Sequence, residues 1–217
     1  MLGKQVGVKF FDLLRPVLAK RMEYVGKHDN LTPEQIRQLI LDEANRNHAQ
    51  WYSNDVPDLN YHLPACRLAY LYIVAAANAT TFKWILKNDP DLYQHVMGIA
   101  KTKRQLNVCA FGAGPGTELM AFAKFFDEEK LGHAVQVEFQ LLDIEKAWLD
   151  SWHGIRDAIK DHFRTSYGPD FSSWPMFPNG NFIDQDVTKT DELDNLGDIW
   201  SHDVFVINFV LSELFHD

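Results

Sequence analysis

The chemistry-bearing residues of this chain gather in its second half. Gly112-Ala113-Gly114-Pro115-Gly116 follows an apolar run with β character, Leu106 to Phe111, and precedes an amphipathic run, Leu119 to Phe126. A strand that breaks on glycines into a helix N-terminus can bring a ligand against bare main chain, since no Cβ stands between them. No Gly-Lys-Ser/Thr follows, so this is not a Walker loop, and Thr117 stands where the dinucleotide fingerprint G-x-G-x-x-G requires glycine. A second apolar run, Val135 to Leu142, ends in Asp143. A carboxylate at that strand end is placed to accept both hydroxyls of a ribose. Cysteines and histidines show no metal-ligand spacing, and Cys66 and Cys109 read as buried free thiols in a reducing compartment.

These residues need a scaffold, and the texture from Leu106 onward supplies one. Strand 106–111, helix 117–126, strand 135–142, helix 145–164, strand 181–184 and strand 203–208 alternate as in an α/β domain with a mostly parallel sheet. The first hundred residues read instead as helices. Val6 to Val25 has helical apolar spacing, with Pro16 expected to kink or divide it. Thr32-Pro33-Glu34-Gln35 opens a second helix with threonine as N-cap and proline at its first position. Pro64 to Leu86 reads as one long, largely buried helix, whose Arg67 either pairs with a carboxylate inside the fold or reaches an anionic ligand group. Asp89-Pro90-Asp91 starts a short helix through Ile99, and Lys101 to Arg104 reads as a basic hinge. The division is therefore 1–104, helical, and 105–217, α/β.

Charge divides the chain at the same place. Residues 1–105 carry 14 Lys/Arg against 10 Asp/Glu, and residues 106–217 carry 7 against 20, so the net −9 is the sum of +4 and −13. An acidic second half does not suit a polyanion, so charge gives no indication of nucleic acid as a partner. An apolar fraction of 46% and six tryptophans suffice for a real core. No signal-peptide core and no stretch of membrane-span length is present, which reads as a soluble intracellular protein of the cytoplasm or nucleus.

G-x-G-x-G after the first strand, an acid ending the second, Asp186-Val187 after the third and Asn208 ending the fourth together resemble the class I S-adenosylmethionine-dependent methyltransferases. The resemblance covers residues 106–217 and implies a Rossmann-like fold. Gly112, Ala113, Gly114 and Gly116 would pass the methionine portion of the cofactor, and Asp143 would hold its ribose. Asp186 would accept from the adenine amino group, with Val187 or Ile144 packing on the ring. Asn208 would line the place where the methyl meets its acceptor, and Asn208 and Glu213 are the candidates for a catalytic role. Each also has a plainer reading: turn glycines, Asp143 as a helix cap, Asp186 as one acid of an acidic loop, Glu213 and His216 as solvated or helix-packing residues. The helical region would cap the cofactor, with Trp51, Tyr52, Tyr61 and Tyr70 as aromatics to look for at the acceptor site, core packing being the plainer reading of each.

The class has seven strands, and four are visible here. Beside the fourth strand the class places a fifth, so the apolar run Val204 to Phe209 would otherwise be an exposed edge. The expectations are a C-terminally truncated parent, a second copy or partner chain that covers the edge, or a half-domain standing alone. The acceptor, whether RNA, protein or small molecule, is unassigned, because Asn208-Phe209-Val210-Leu211 replaces the Asp/Asn-Pro-Pro-aromatic motif of amide and base methylation. Two rivals remain: a non-catalytic binding or scaffold module, and a nicotinamide-dependent oxidoreductase, disfavoured by Thr117.

Overall fold

A computed structural model describes residues 9–51, 59–131, 134–167 and 181–208. Five helices lead: α1 (Phe10–Asp29), α2 (Pro33–Trp51), α3 (Pro64–Ile73), α4 (Ala75–Asn88) and α5 (Pro90–Lys103). The alternating part follows as β1 (Gln105–Phe111), α6 (Thr117–Glu128), β2 (Gln136–Asp143), α7 (Leu149–Tyr167), β3 (Asn181–Asp184), α8 (Thr190–Leu193) and β4 (Val204–Ile207). Every strand pairing is parallel, in the order β3-β2-β1-β4. The architecture is Rossmann-like: a small parallel sheet flanked by helices and preceded by a helical region. The chain leaves β1 toward β2 on one side and reaches β4 on the other, so the direction of winding reverses between β1 and β4. Ligands of such sheets bind beyond the strand ends at that reversal.

Helix ends follow local chemistry. Thr32 Oγ1 accepts from Gln35 N (3.3 Å) while Gln35 Oε1 accepts from Thr32 N (2.8 Å), a reciprocal capping box ahead of α2. Asp89 Oδ1 accepts from the amides of Asp91 and Leu92 and opens α5.

Four expectations change. Helix α1 runs unbroken through Pro16, and the expected start at Val6 lies outside the described residues. The long helix 64–86 is two helices, parted at Val74 with φ −101° and ψ −39°. Ile73 and Val74 are adjacent β-branched residues, poor helix formers. The break lets Leu68 and Leu71 pack toward α1 and α2 while Ala79, Phe82 and Leu86 pack toward α6. Lys101 and Lys103 are no hinge but the last turn of α5, where cations suit the helix dipole, and Arg104 caps it at φ 54°. The helix expected from 145 begins as a short 3-10 turn, Lys146–Trp148, before α7.

One core spans both halves of the chain. Leu13, Leu14 and Val17 of α1 share it with Trp152, Ile155 and Ile159 of α7, and Phe82 of α4 meets Phe122 of α6 edge-on. A second cluster joins Cys109 and Phe111 of β1 and Leu142 of β2 to Leu193 of α8 and Ile199 of the short 3-10 turn before β4. Among the described residues β4 is an edge, and its residues alternate buried and exposed, with Phe205 and Ile207 outward. No described helix is long and apolar enough to cross a membrane.

Candidate functional site

The glycine loop joins β1 to α6 with three left-handed glycines: Gly112 at φ 58°, Gly114 at 51° and Gly116 at 78°. It is tied across the sheet by Ala113 N donating to Leu142 O (3.0 Å) and closed by Gly116 N donating to Ala113 O (2.8 Å). A Cβ on Gly116 would lie 2.7 Å from Trp152 Cδ1 and 3.0 Å from Leu119 Cδ1, and one on Gly114 would meet Trp148 at 3.9 Å. The Cβ directions of Gly114 and Gly116 thus face the tryptophans of the β2–α7 connection and α7. Backbone conformation and that packing already require glycine at 116, before any ligand is considered.

Asp143, the last residue of β2, is buried beneath this loop. Its Oδ2 accepts from Gly114 N (2.6 Å) and its Oδ1 from Glu145 N (2.8 Å), so it straps the loop to the strand end. Burial pushes its carboxyl up to about 6, against the two amide bonds and helped by the neighbouring charges of Glu145 and Asp184. Each carboxylate oxygen accepts more than one bond, so both retain capacity for a hydroxyl donor. Ile144 follows with 65% of its surface exposed, an apolar face beside the strap. Beyond β3, Asp186 is at the surface; its Oδ1 accepts from Thr188 N (3.0 Å) and Thr188 Oγ1 (2.6 Å), bonds that hold its carboxyl below the usual range. Val187 is half-buried against the second core cluster, which leaves Ile144 as the more open of the two apolar neighbours.

Glu118 is one of two site residues that the sequence did not reveal. It lies in the first turn of α6, where any glutamate suits the helix dipole, so its type alone carries no signal. Its burial does: 4% of its surface is exposed. Among the described residues Oε1 receives two long side-chain bonds, from Thr117 Oγ1 (3.3 Å) and Asn208 Nδ2 (3.5 Å), and the buried Oε2 has no partner. Burial drives its carboxyl up to about 7, with Asp143 adding a like charge. The bond to Asn208, just past β4, places this carboxyl between the β1 and β4 ends, at the reversal of strand order. Among the described residues no cation lies within ion-pair distance of Glu118 or Asp143.

The helical region closes over the same end of β2. Glu145, also missed, is buried; Oε1 accepts from Ala147 N (2.8 Å) and lies 3.9 Å from Arg67, while Oε2 pairs with His62 Nδ1. Arg67 further donates to the carbonyls of Tyr61 and His62, so of its two expected roles it takes the internal one. Tyr61 and Tyr70 form an aromatic box with Trp148, centroids 5.4 to 5.8 Å apart, directly behind Gly114. The two tyrosines are therefore packing residues; Tyr52, Glu213, His216 and the side chain of Trp51 lie outside the described residues. A groove of ≈ 680 Å³ between α1 and α7, lined by Asp12, Arg21, Asp150 and Asp161 among others, contains none of the residues around the loop.

The strand ends at the reversal therefore bring together Gly112, Gly114, Gly116, Asp143, Ile144, Glu118 and Asn208, with two buried carboxyls among them. Comparison with family models, with curated proteins and with solved structures gives no match to this chain.

Proposed function

We propose that this chain binds S-adenosylmethionine, and its product S-adenosylhomocysteine, at the glycine-loop crevice and serves methyl transfer. The observation that carries this is the pair of buried carboxyls, Asp143 and Glu118, with no cation among the described residues within ion-pair distance of either. A nucleotide-like ligand with its own positive charges suits such a site, and this cofactor brings an ammonium and a sulfonium. A pyrophosphate dinucleotide does not. One phosphate charge about 5 Å from one carboxylate costs on the order of 3 kcal/mol at an effective dielectric of 20. The nicotinamide alternative is disfavoured on that ground as well as by Thr117.

In this proposal Asp143 receives the ribose hydroxyls with the lone pairs left over from its loop bonds, and exposed Ile144 packs on the adenine. Asp186 accepts the adenine amino group through its carboxylate, with Val187 beside it, and Asn208 borders the acceptor side of the crevice. When bound, the cofactor supplies an activated methyl group for in-line displacement, so the chain's task is to hold donor and acceptor in register. Asn208 is the described candidate for that alignment, and Glu213 is the candidate base where the acceptor must lose a proton. The class carries three more strands beside β4. Those strands, a second copy or a partner chain would pair with the outer edge of β4.

Isothermal calorimetry tests the proposal. S-adenosylhomocysteine binds and NAD does not; tighter binding of NAD overturns it. Asp143→Ala weakens S-adenosylhomocysteine by ~1–3 kcal/mol, the scale for hydroxyls left without a charged acceptor, and unchanged affinity removes Asp143 from the ribose site. Labelled methyl offered with RNA, protein and small-molecule pools then identifies the acceptor. Binding without turnover in any pool supports the alternative, a non-catalytic binding or scaffold module.

A further inference from the structure

We infer that Glu118 is the counter-ion for a ligand ammonium, so that the crevice between β1 and β4 selects ligands carrying a free α-amino group. The inference rests on the proposed S-adenosylmethionine site and assigns one end of its ligand. Three observations converge on it. The carboxyl lies at the reversal of strand order, shown by its bond to Asn208 Nδ2 across the ends of β1 and β4. Its Oε2 is a buried acceptor with no partner among the described residues, and a buried acceptor left unmade costs the full desolvation of that group. No described cation neutralises it, although lysines neutralise Glu128 at the far end of the same helix.

The alternative occupant of Oε2 would be a protein donor. The described side-chain donors that reach this carboxyl, Thr117 Oγ1 and Asn208 Nδ2, both bond to Oε1. An ammonium presents three donors, enough to satisfy Oε2 and restore the charge balance in one contact. Ala110 and Phe111, which end β1 at this place, offer no carboxylate of their own. Asp143 is committed to the amides of Gly114 and Glu145 and belongs to the ribose side. Of Asp143 and Glu118, therefore, Glu118 is the one with an oxygen that no described group reaches; Glu145 Oε2, also without a hydrogen bond, lies beside His62 instead.

The test is a two-by-two binding experiment by calorimetry at pH 7.5. S-adenosylhomocysteine and its deaminated analogue, in which hydrogen replaces the α-amino group, are titrated into the wild-type chain and into Glu118→Gln. Circular dichroism and thermal melting establish that the variant is folded. Removal of the amine weakens binding to the wild type at least tenfold, and in Glu118→Gln the two ligands bind within twofold of each other. An equal amine penalty in both proteins overturns the assignment while leaving the cofactor site standing. Failure of S-adenosylhomocysteine to bind the wild type overturns the cofactor proposal and this inference with it. Where Glu118→Gln does not fold, the wild-type pair still decides: equal affinity for the two ligands overturns the role of Glu118.

Discussion

Helix α6 carries a glutamate near each end, and the fold treats the two in opposite ways. Glu128, in the last turn, faces the unfavourable end of the helix dipole. Burial also works against it, yet Lys87, Lys83 and Lys124 surround it and hold its carboxyl below the usual range. Glu118, about 15 Å away along the axis, has the favourable end of the dipole, but burial without a cation raises its carboxyl to about 7. Asp203 and Asp143 repeat the contrast at the two ends of the sheet. Burial pulls both upward; Lys103 and the Asn107 amide bring Asp203 down, whereas Asp143 stays at about 6. At Glu128 and Asp203 this chain supplies the cation itself. At the crevice it does not, and the electrostatic deficit is what a cationic ligand would remove.

The largest effect comes from breaking the crevice itself. Gly116→Val forces a β-branched residue to φ 78° with its Cβ against Trp152. It lowers stability by about 3–5 kcal/mol in urea unfolding, and a loss below about 1 kcal/mol contradicts the packing described for the loop. Next, Arg67→Met turns a compensated acid into an uncompensated one by leaving Glu145 buried beside His62 alone. It costs about 3 kcal/mol, the scale for removing one partner of a buried pair. A neutral outcome would mean that Glu145 already lacks effective compensation.

Glu118→Gln has the opposite sign. The folded pKa of Glu118 lies above its ordinary 4.5, so the folded state keeps a proton that the unfolded chain has released. Its contribution to stability is largest below pH 4.5 and declines as pH rises to about 7. The variant is therefore more stable than the ligand-free wild type at pH 8, by on the order of 2–3 kcal/mol, and gains nothing at pH 4. A gain independent of pH would break the comparison. The smallest effect is at the other end of α6. Glu128→Gln loses about 0.5–1 kcal/mol near neutral pH, the discounted worth of a half-exposed network. That loss disappears in acid as the wild-type carboxyl protonates, and thermal melting across pH 3 to 8 reads both glutamates on one axis.

How much of this was legible beforehand follows from what each feature depends on. The four strands were readable because each centres on apolar, β-favouring residues and is closed by a turn or polar residue, here Gly112, Asp143, Gln185 and Asn208. The capping box at Thr32 and Gln35 is local and was equally plain. The break at Val74 was not, since a run apolar on all sides shows no change of period where one helix ends and the next begins. Asp143 could be named as a strand-end acid, but its bond to Gly114 exists only through the register that sets β2 beside β1. Glu118 was invisible for a further reason: it has the residue type that any helix N-terminus favours, and only the closure of β4 against β1 makes it a buried acid.

The central claim is that the crevice holds carboxylates short of a cation. Its most direct test is an NMR titration of the Glu118 side-chain carboxyl in selectively ¹³C-labelled protein, without and with S-adenosylhomocysteine. The account predicts a midpoint of about 7 in the ligand-free chain that falls below the ordinary value of 4.5 when the ligand ammonium arrives. A ligand-free midpoint already near 4.5, or one that saturating ligand leaves unmoved, would contradict it.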